Sequence, residues 1–330
     1  MGSAVKAQTV TVTARGETAP VGTAKDDAAD DPAIWRNAAR PSRSLIVATD
    51  KKAGLYVYGL GGEVRSFVAA GRVNNVALVD LGREGVIVVA SDRNDKAAAR
   101  LRLYRLDTRR GVLVSLGDVD GGQGEAYGVC LLRRGRGFDA FSVLKHGSIA
   151  HSRITFAGGT PESRTLRNLK LATQTEGCVV DPRSGVLYVG EEDRGIWAFD
   201  ARETGSSEGR LVAAVDGIHL AADVEGLALW PQGRRGGWLA ASSQGDNAYA
   251  LFRLPGMEPA GRFRIVAGKF GGTEETDGIE LAKGSFGPRF PAGLFIAQDG
   301  QNAPAAQNFK LVSWRDVLQQ LRKAGTPRSR

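Results

Sequence analysis

A chain of 330 residues with 44 glycines and a formal charge of +8 has room for one large all-β domain or two smaller ones. Its positive residues are scattered. Arg133-Arg134-Gly135-Arg136 and Arg234-Arg235 stand in glycine turns with no interleaved aromatics, which argues against a nucleic-acid surface, and no apolar stretch is long enough to span a membrane.

The start, Met1-Gly2-Ser3-Ala4-Val5, has no apolar signal segment and reads as a leader joined to a mature chain. Residues 1–7 and 326–330 read as disordered tails around a single domain over 8–325. Gln8 to Ala14 alternates β-formers and predicts a strand. A phrase then repeats: an acidic or amide residue, often a glycine, a short apolar strand, and a second strand ending in polar residues. Its copies begin near Asp30-Asp31-Pro32, Asn74-Asn75-Val76, Tyr127-Gly128, Glu176-Gly177, Glu225-Gly226 and Asp277-Gly278. The spacing, roughly 44 to 52 residues, is that of propeller blades. Second strands follow at Leu45 to Asp50, Gly85 to Asp92, Ala140 to Lys145, Val186 to Glu192, Trp238 to Gln244 and Gly293 to Asp299. Third strands include Gly54 to Tyr58, Leu101 to Tyr104, Gly195 to Phe199 and Tyr249 to Phe252.

The pattern predicts an all-β, six-bladed β-propeller. Its last blade lacks an outer strand, which the early strand at Gln8 to Ala14 is placed to supply, closing the ring. Ser313 is a candidate N-cap for a short C-terminal helix carrying Trp314, Val317, Leu318 and Leu321 on one side. Trp35, Trp197, Trp230 and Trp238 read as blade packing. Cys130 and Cys178 lie one repeat apart; they read as two buried thiols, with an inter-blade disulfide as the alternative.

Adjacent strands of a blade run antiparallel, so the starts of first strands and the ends of second strands meet at one mouth. That gathers Asp50, Lys51, Asp92, Arg93, Lys145, His146, Glu191, Glu192, Gln244 and Asp299 with Asp30, Asp31, Asn75, Tyr127, Glu176, Asp223, Glu225 and Asp277. Oxygen ligands in this number, beside three histidines without zinc spacing, suit Ca²⁺ rather than Zn²⁺. Cations in the same mouth suit an anionic, phosphorylated guest. Gly121-Gly122-Gln123-Gly124 lacks the strand-to-helix context of a phosphate loop and reads as a turn, and Ser242-Ser243 has no histidine placed to activate it.

Several stretches carry a more specific likeness. They are Asp30 to Trp35 (DDPAIW), Thr49 to Tyr58, Gly71 to Val76 (GRVNNV), Gln174 to Asp181 (QTEGCVVD), Leu187 to Trp197, Asp223 to Leu229 (DVEGLAL), Leu239 to Phe252, the TDGIE beginning at Thr276, and the GLFIAQDG beginning at Gly293. Together they resemble the β-propeller phytases, the alkaline calcium-dependent phytases of bacteria, from about Glu17 to Trp314. The resemblance implies several Ca²⁺ ions and hydrolysis of phosphomonoesters of myo-inositol hexakisphosphate (phytate) by direct attack of a calcium-bridged water. It implies metal ligation by Asp30, Asp31, Pro32, Asn75, Val76, Glu176, Glu192, Asp223, Glu225, Gln244 and Asp277, with Pro32 and Val76 acting through their carbonyls. It implies phosphate contacts from Lys51, Arg93, Tyr127 and Lys145. Glu176, Glu192, Asp223 and Glu225 complete the catalytic set, and a monomer, secreted or periplasmic, is expected. Four positions depart from the family pattern, each with loss of an acid: Ala77, His146, Gly271 and Gln301. Fewer ions, or weaker occupancy at one or two sites, are therefore expected. The rivals are a calcium lactonase or sugar oxidoreductase on the same architecture, against which the cations Lys51, Arg93 and Lys145 argue, and a non-catalytic propeller that only captures inositol phosphates or a partner protein.

Overall fold

The computed structural model describes residues 8–24 and 27–325; the segments expected to be disordered, 1–7 and 326–330, lie outside the described residues. Six antiparallel sheets of four main strands form the blades of a propeller. The inner strands are Ala29–Trp35, Val73–Asp80, Ala126–Arg134, Thr175–Asp181, Val224–Gln232 and Ile279–Ala282, for blades 1 to 6 in chain order. Each touches the next around the axis, and the sixth returns to the first. The second strands are Leu45–Asp50, Val86–Asp92, Gly137–Leu144, Val186–Glu191, Gly236–Ser243 and Leu294–Asp299.

Both faces of a blade are covered by neighbours, so the middle strands read as continuous apolar runs. The core is divided into seams between successive blades. Val47, Leu55 and Val57 of blade 1 meet Val76, Val88 and Tyr104 of blade 2, and each later seam repeats the pattern. Cys130 and Cys178 occupy the seam between blades 3 and 4. There they form a disulfide, with 5.8 Å between Cα atoms, that staples two inner strands across a separation of 48 residues. The alternative to free thiols is the arrangement found.

Ring closure differs in detail from the expectation. Thr9–Thr13 pairs in parallel with Glu258–Val266 and becomes a fifth, outermost strand of blade 5. The outer strand of blade 6 is the two-residue segment Gly16–Glu17, paired with Leu311 and Lys310. Alternation marked the first segment as a strand but carries no information on its partner, and two residues are too few to show a period. The C-terminal helix Trp314–Gly325 packs Trp314 and Val317 into the blade 5–6 seam, where Trp314 meets Trp230 and Trp238. The Ser313 hydroxyl does not cap it and has no hydrogen-bond partner among the described residues; the first helical N–H, from Trp314, goes instead to the Gly293 carbonyl at 3.1 Å. Among the described residues no helix is long and apolar enough to cross a membrane.

Candidate active site

One backbone hydrogen bond, repeated six times, builds the mouth. The residue just beyond each second strand donates its N–H to a carbonyl shortly before the inner strand: Lys51 to Ala28 (2.7 Å), Arg93 to Arg72 (3.0 Å), Lys145 to Glu125 (3.0 Å), Glu192 to Gln174 (3.1 Å), Gln244 to Asp223 (3.0 Å) and Gly300 to Glu274 (2.8 Å). These positions form an upper ring. The residues immediately before them serve the walls. Asp50 accepts from the N–H and hydroxyl of Thr23, Glu191 from Ala172 and Thr173, and Asp92 from Asn94 and Arg102. Of the strand-end set, Asp50, Asp92 and Glu191 are thus loop-holding groups, and His146 lies exposed at the rim.

A second ring lies beneath. In blades 1 to 5 the inner strand carries a β-bulge at the same place: the register shifts between Ala29 and Pro32, Val73 and Val76, Ala126 and Val129, Thr175 and Cys178, and Val224 and Leu227. A bulge re-aims its side chains, and the first bulge residue of each blade enters the mouth: Asp30, Asn74, Tyr127, Glu176 and Glu225, with Asp277 in the matching place of blade 6. The recurrent glycine after it has a steric cause. A Cβ on Gly128 would stand 1.9 Å from the Glu176 carbonyl oxygen, and one on Gly177 2.2 Å from that of Glu225. The inner strands approach so closely that a side chain does not fit between them.

The two rings divide the mouth by charge. Most of the acids come from blades 4 to 6, joined by Asp30 of blade 1. Oxygens of Glu176, Glu192 and Glu225 lie within 4.8 Å of one another, and Glu192 Oε1 and Glu225 Oε2 are buried without a hydrogen-bond partner. Burial, with repulsion from Asp30 and Glu225, raises the Glu176 pKa well above the carboxylate range; burial, with Asp277 and Glu192, does the same to Glu225. Burial raises Glu192 as well, against a hydrogen bond from Gln174. Asp277 is pushed up to about 8 by burial, against the pull of Lys51. Asp223, half-buried, adds to the repulsion on Glu192 and Glu225. Orphaned oxygens and mutually repelling acids are the surroundings a hard cation relieves.

Blades 2 and 3 contribute cations. Arg93 lies 5.4 Å and Lys145 5.0 Å from the Tyr127 ring centre, and Arg93 also approaches Glu125 at 3.7 Å. A hydrogen bond that the Lys145 ammonium donates to the Tyr127 hydroxyl oxygen is the main cause that raises the Lys145 pKa. Lys51 behaves differently: its ammonium touches Asp27 at 2.8 Å, Asp30 at 2.9 Å and Asp277 at 2.8 Å. Burial alone would lower its pKa, but those three acids raise it overall. Gln244 donates to Asp277 Oδ1 at 2.6 Å.

The predicted metal ligands fall into two places. Asp30, Glu176, Glu192, Asp223, Glu225, Gln244 and Asp277 belong to the mouth. Asp31, Pro32, Asn75 and Val76 line a cavity of about 130 Å³ lower on the axis. Asp31, whose Oδ2 accepts the Val76 N–H at 3.0 Å, has its pKa raised well above the usual value, by burial first. With its amide nitrogen facing Glu176, Asn75 donates to Glu176 Oε1 and the Tyr127 carbonyl at 3.1 Å each.

Two groups at these sites escaped the sequence reading. Asn74, rather than Asn75, fills the blade 2 place of the lower ring and donates to Asp30 at 3.1 Å and Glu176 at 2.9 Å. Glu280 lines the axial cavity, and burial raises it to about 7. It holds the inner-strand place that is Ala33, Ala77, Cys130, Val179 and Ala228 in the other blades. That break in an apolar column was the available signal.

The departures at Gly271 and Gln301 belong to a third place, the seam that closes the ring. Lys310, fully buried, sends its ammonium to Glu17 (2.7 Å) and Asp299 (3.1 Å) and to the Asn302 side-chain oxygen (3.0 Å). A Cβ on Gly271 would stand 3.1 Å from that ammonium. A lysine supplies the positive charge here.

Comparison with known proteins agrees with this architecture. The phytase family model matches residues 2–326. The 3-phytase of Bacillus subtilis (strain 168) is 38% identical over 328 residues, covering 94% of this chain and 85% of the relative. Among solved structures, a chain of the mitotic checkpoint complex superposes with a TM-score of 0.54 over 93% of this chain and 86% of its own length. At 12% identity that likeness concerns the fold alone.

Proposed function

Because this chain belongs to the phytase family, we propose that it releases phosphate from phytate at the propeller mouth and depends on calcium to do so. The carrying observation is the juxtaposition of unpartnered acid oxygens on Glu192 and Glu225 with the cation arc of Arg93 and Lys145. Glu176, Glu192, Asp223, Glu225 and Asp277 would hold the ion. Calcium, when bound, would neutralise phosphate oxygens and acidify the water that attacks phosphorus directly, with no covalent enzyme intermediate.

The remaining work falls to the chain's own groups. Arg93 offers a planar fork and Lys145 a point charge to the phosphate oxygens, which stabilises the charge that builds up in the transition state. Tyr127 stands between them, its phenol kept neutral chiefly by burial, so its hydroxyl can donate to substrate. Lys51 holds Asp30 and Asp277 in place while it offers a third positive charge beside them. Asn74 fixes Asp30 and Glu176 relative to each other. The Cys130–Cys178 bond supports a working location in an oxidising compartment, secreted or periplasmic.

The test is inorganic phosphate release from phytate with calcium present, after chelation, and after calcium is restored. Release that stops on chelation and resumes with calcium is expected. Undiminished release in excess chelator would reject the calcium requirement, and no release under any condition would reject the catalytic reading.

A further inference from the structure

The face opposite the mouth carries a second cationic feature. The turn 36–44 joins the first and second strands of blade 1, and the turn 108–111 joins the third and fourth strands of blade 2. Both turns lie at the far end of strands that start at the mouth. Between them opens a cleft of about 820 Å³ lined by Arg40, Arg43, Arg65, Arg109 and Arg110, with serine, threonine and asparagine but no carboxylate in its lining.

Arginines at several other turns of this face have structural partners, whereas Arg83, Arg136, Arg234 and Arg235, without one among the described residues, stand on separate turns rather than around one cleft. Arg183 grips Asp181 and the carbonyls of Gln232, Gly233 and Gly236. Arg134 and Arg153 share Asp139, and Arg133 donates to the Asp80 and Leu81 carbonyls. Among the described residues Arg65 pairs only with the exposed Glu63. By contrast, among the described residues the guanidinium groups of Arg40, Arg43, Arg109 and Arg110 make no hydrogen bond or ion pair with another residue. The turns are held by backbone instead: Arg40 N–H to Asn37 Oδ1, and Arg109 and Arg110 N–H to Asp107 Oδ1. Arg109 and Arg110 help, after the backbone hydrogen bond from Arg110, to hold the Asp107 carboxyl below its usual range, but no carboxylate lines the cleft between the two turns to offset its crowded positive charge.

We propose that this cleft is a second, non-catalytic binding site for a small molecule bearing several phosphate groups. Arginine forks match phosphate oxygens in pairs. The volume lies within the range of small-ligand sites, about 300–1,000 Å³. No aromatic side chain lines the cleft to stack a base, which disfavours a single-stranded nucleic acid. The cleft is independent of the calcium chemistry at the mouth, so it stands or falls apart from the proposed activity.

The probe is myo-inositol hexakissulfate, a polyanion that a phosphatase does not consume, titrated calorimetrically into the full chain with calcium present. Three proteins are compared: the parent, an Arg43→Glu/Arg110→Glu variant, and Lys145→Ala. The parent is expected to show a site that survives Lys145→Ala and that the double arginine variant weakens by at least about tenfold, since it removes two charge-assisted hydrogen-bond donors and sets two negative charges in their place. Both arginines are exposed, and unchanged melting together with unchanged turnover of phytate shows that the variant folds. Equal stoichiometry and affinity in the parent and the double variant overturns the proposal. Co-sedimentation with phosphatidic acid vesicles separates the sources of phosphate: vesicle capture without binding of the soluble probe overturns the small-molecule assignment.

Discussion

Replacing Lys310 by methionine tests whether a protein cation closes the ring. The short strand Gly16–Glu17 makes only two register pairs, and one of them is Glu17 with Lys310. The same two residues are joined a second time by the ammonium–carboxylate contact at 2.7 Å. Methionine keeps most of the volume and removes the charge. Asp299, 3% exposed, then loses its counter-charge inside the seam, although the N–H groups of Glu274 and Gln301 still reach it at 3.3 and 3.2 Å. Glu17, whose side chain is 33% exposed, recovers part of its hydration. Breaking a buried pair from one side costs about 3–5 kcal/mol. For a chain of this size roughly 2 °C of melting temperature accompanies each kcal/mol, so a fall of about 6–10 °C is expected. Differential scanning calorimetry in chelator, where the mouth is metal-free in both proteins, measures it. Millimolar calcium should then raise the variant's melting temperature by more than the parent's, because the oxygens of Glu17, Asp299 and Asn302 are left facing one another. A variant that melts within about 1 °C of the parent in chelator would refute the reasoning.

Glu192→Gln and Asp223→Asn should each lower phosphate release from phytate by at least about a hundredfold while leaving the melting profile intact; retained turnover in both rejects their assigned role. In chelator, stability should fall as pH rises. The folded state holds protons on Asp277 to about 8 and on Glu280 to about 7, whereas unfolded carboxylates release theirs near 4. Their contribution is therefore whole below pH ~4 and lost on the way up through pH 7 to 8, and saturating calcium should flatten that slope. A melting temperature in chelator that climbs from pH 5 to 8 contradicts the burial of these acids. Replacing both Cys130 and Cys178 by serine should cost up to about 4 kcal/mol, the chain-entropy value for the loop the disulfide closes, readable as a lower urea midpoint. Because the mouth carries Arg93 and Lys145 and the whole chain is positive, the phytate Michaelis constant should rise with ionic strength; a constant value from low to high salt contradicts this steering.

What the sequence disclosed depended on whether a feature repeats. The phrase recurs six times, so the number of blades, the inner strands and the common mouth all follow from its period. The choice between neighbouring residues was harder, because a one-residue change of register turns a side chain to the opposite face. Asp50 and Lys51 are adjacent, yet one braces Thr23 and the other enters the mouth. The bulge settles it. Two residues of the inner strand face one of its partner, and the geometry that admits Glu176 to the mouth forces glycine at 177. Read with that rule, Asn74 becomes equivalent to Asp30 and Glu176, which alignment on glycine alone hides because blades 1 and 2 carry Asp31 and Asn75 in its place.

The features that stayed hidden are those that occur once. Lys310 sits in a strand where a lysine ordinarily marks a solvent face, and its three oxygen partners come from residues 17, 299 and 302, which only the closed ring brings together. The chain answers its clustered acids in two ways. At the closing seam the positive charge is covalently part of the chain and cannot dissociate. At the mouth Lys51 satisfies Asp27, Asp30 and Asp277, but Glu192 Oε1 and Glu225 Oε2 keep no partner. If the mouth takes calcium as proposed, the cation that closes the ring and the cation that serves the substrate are separate, and removal of metal should disable the mouth while the propeller stays closed.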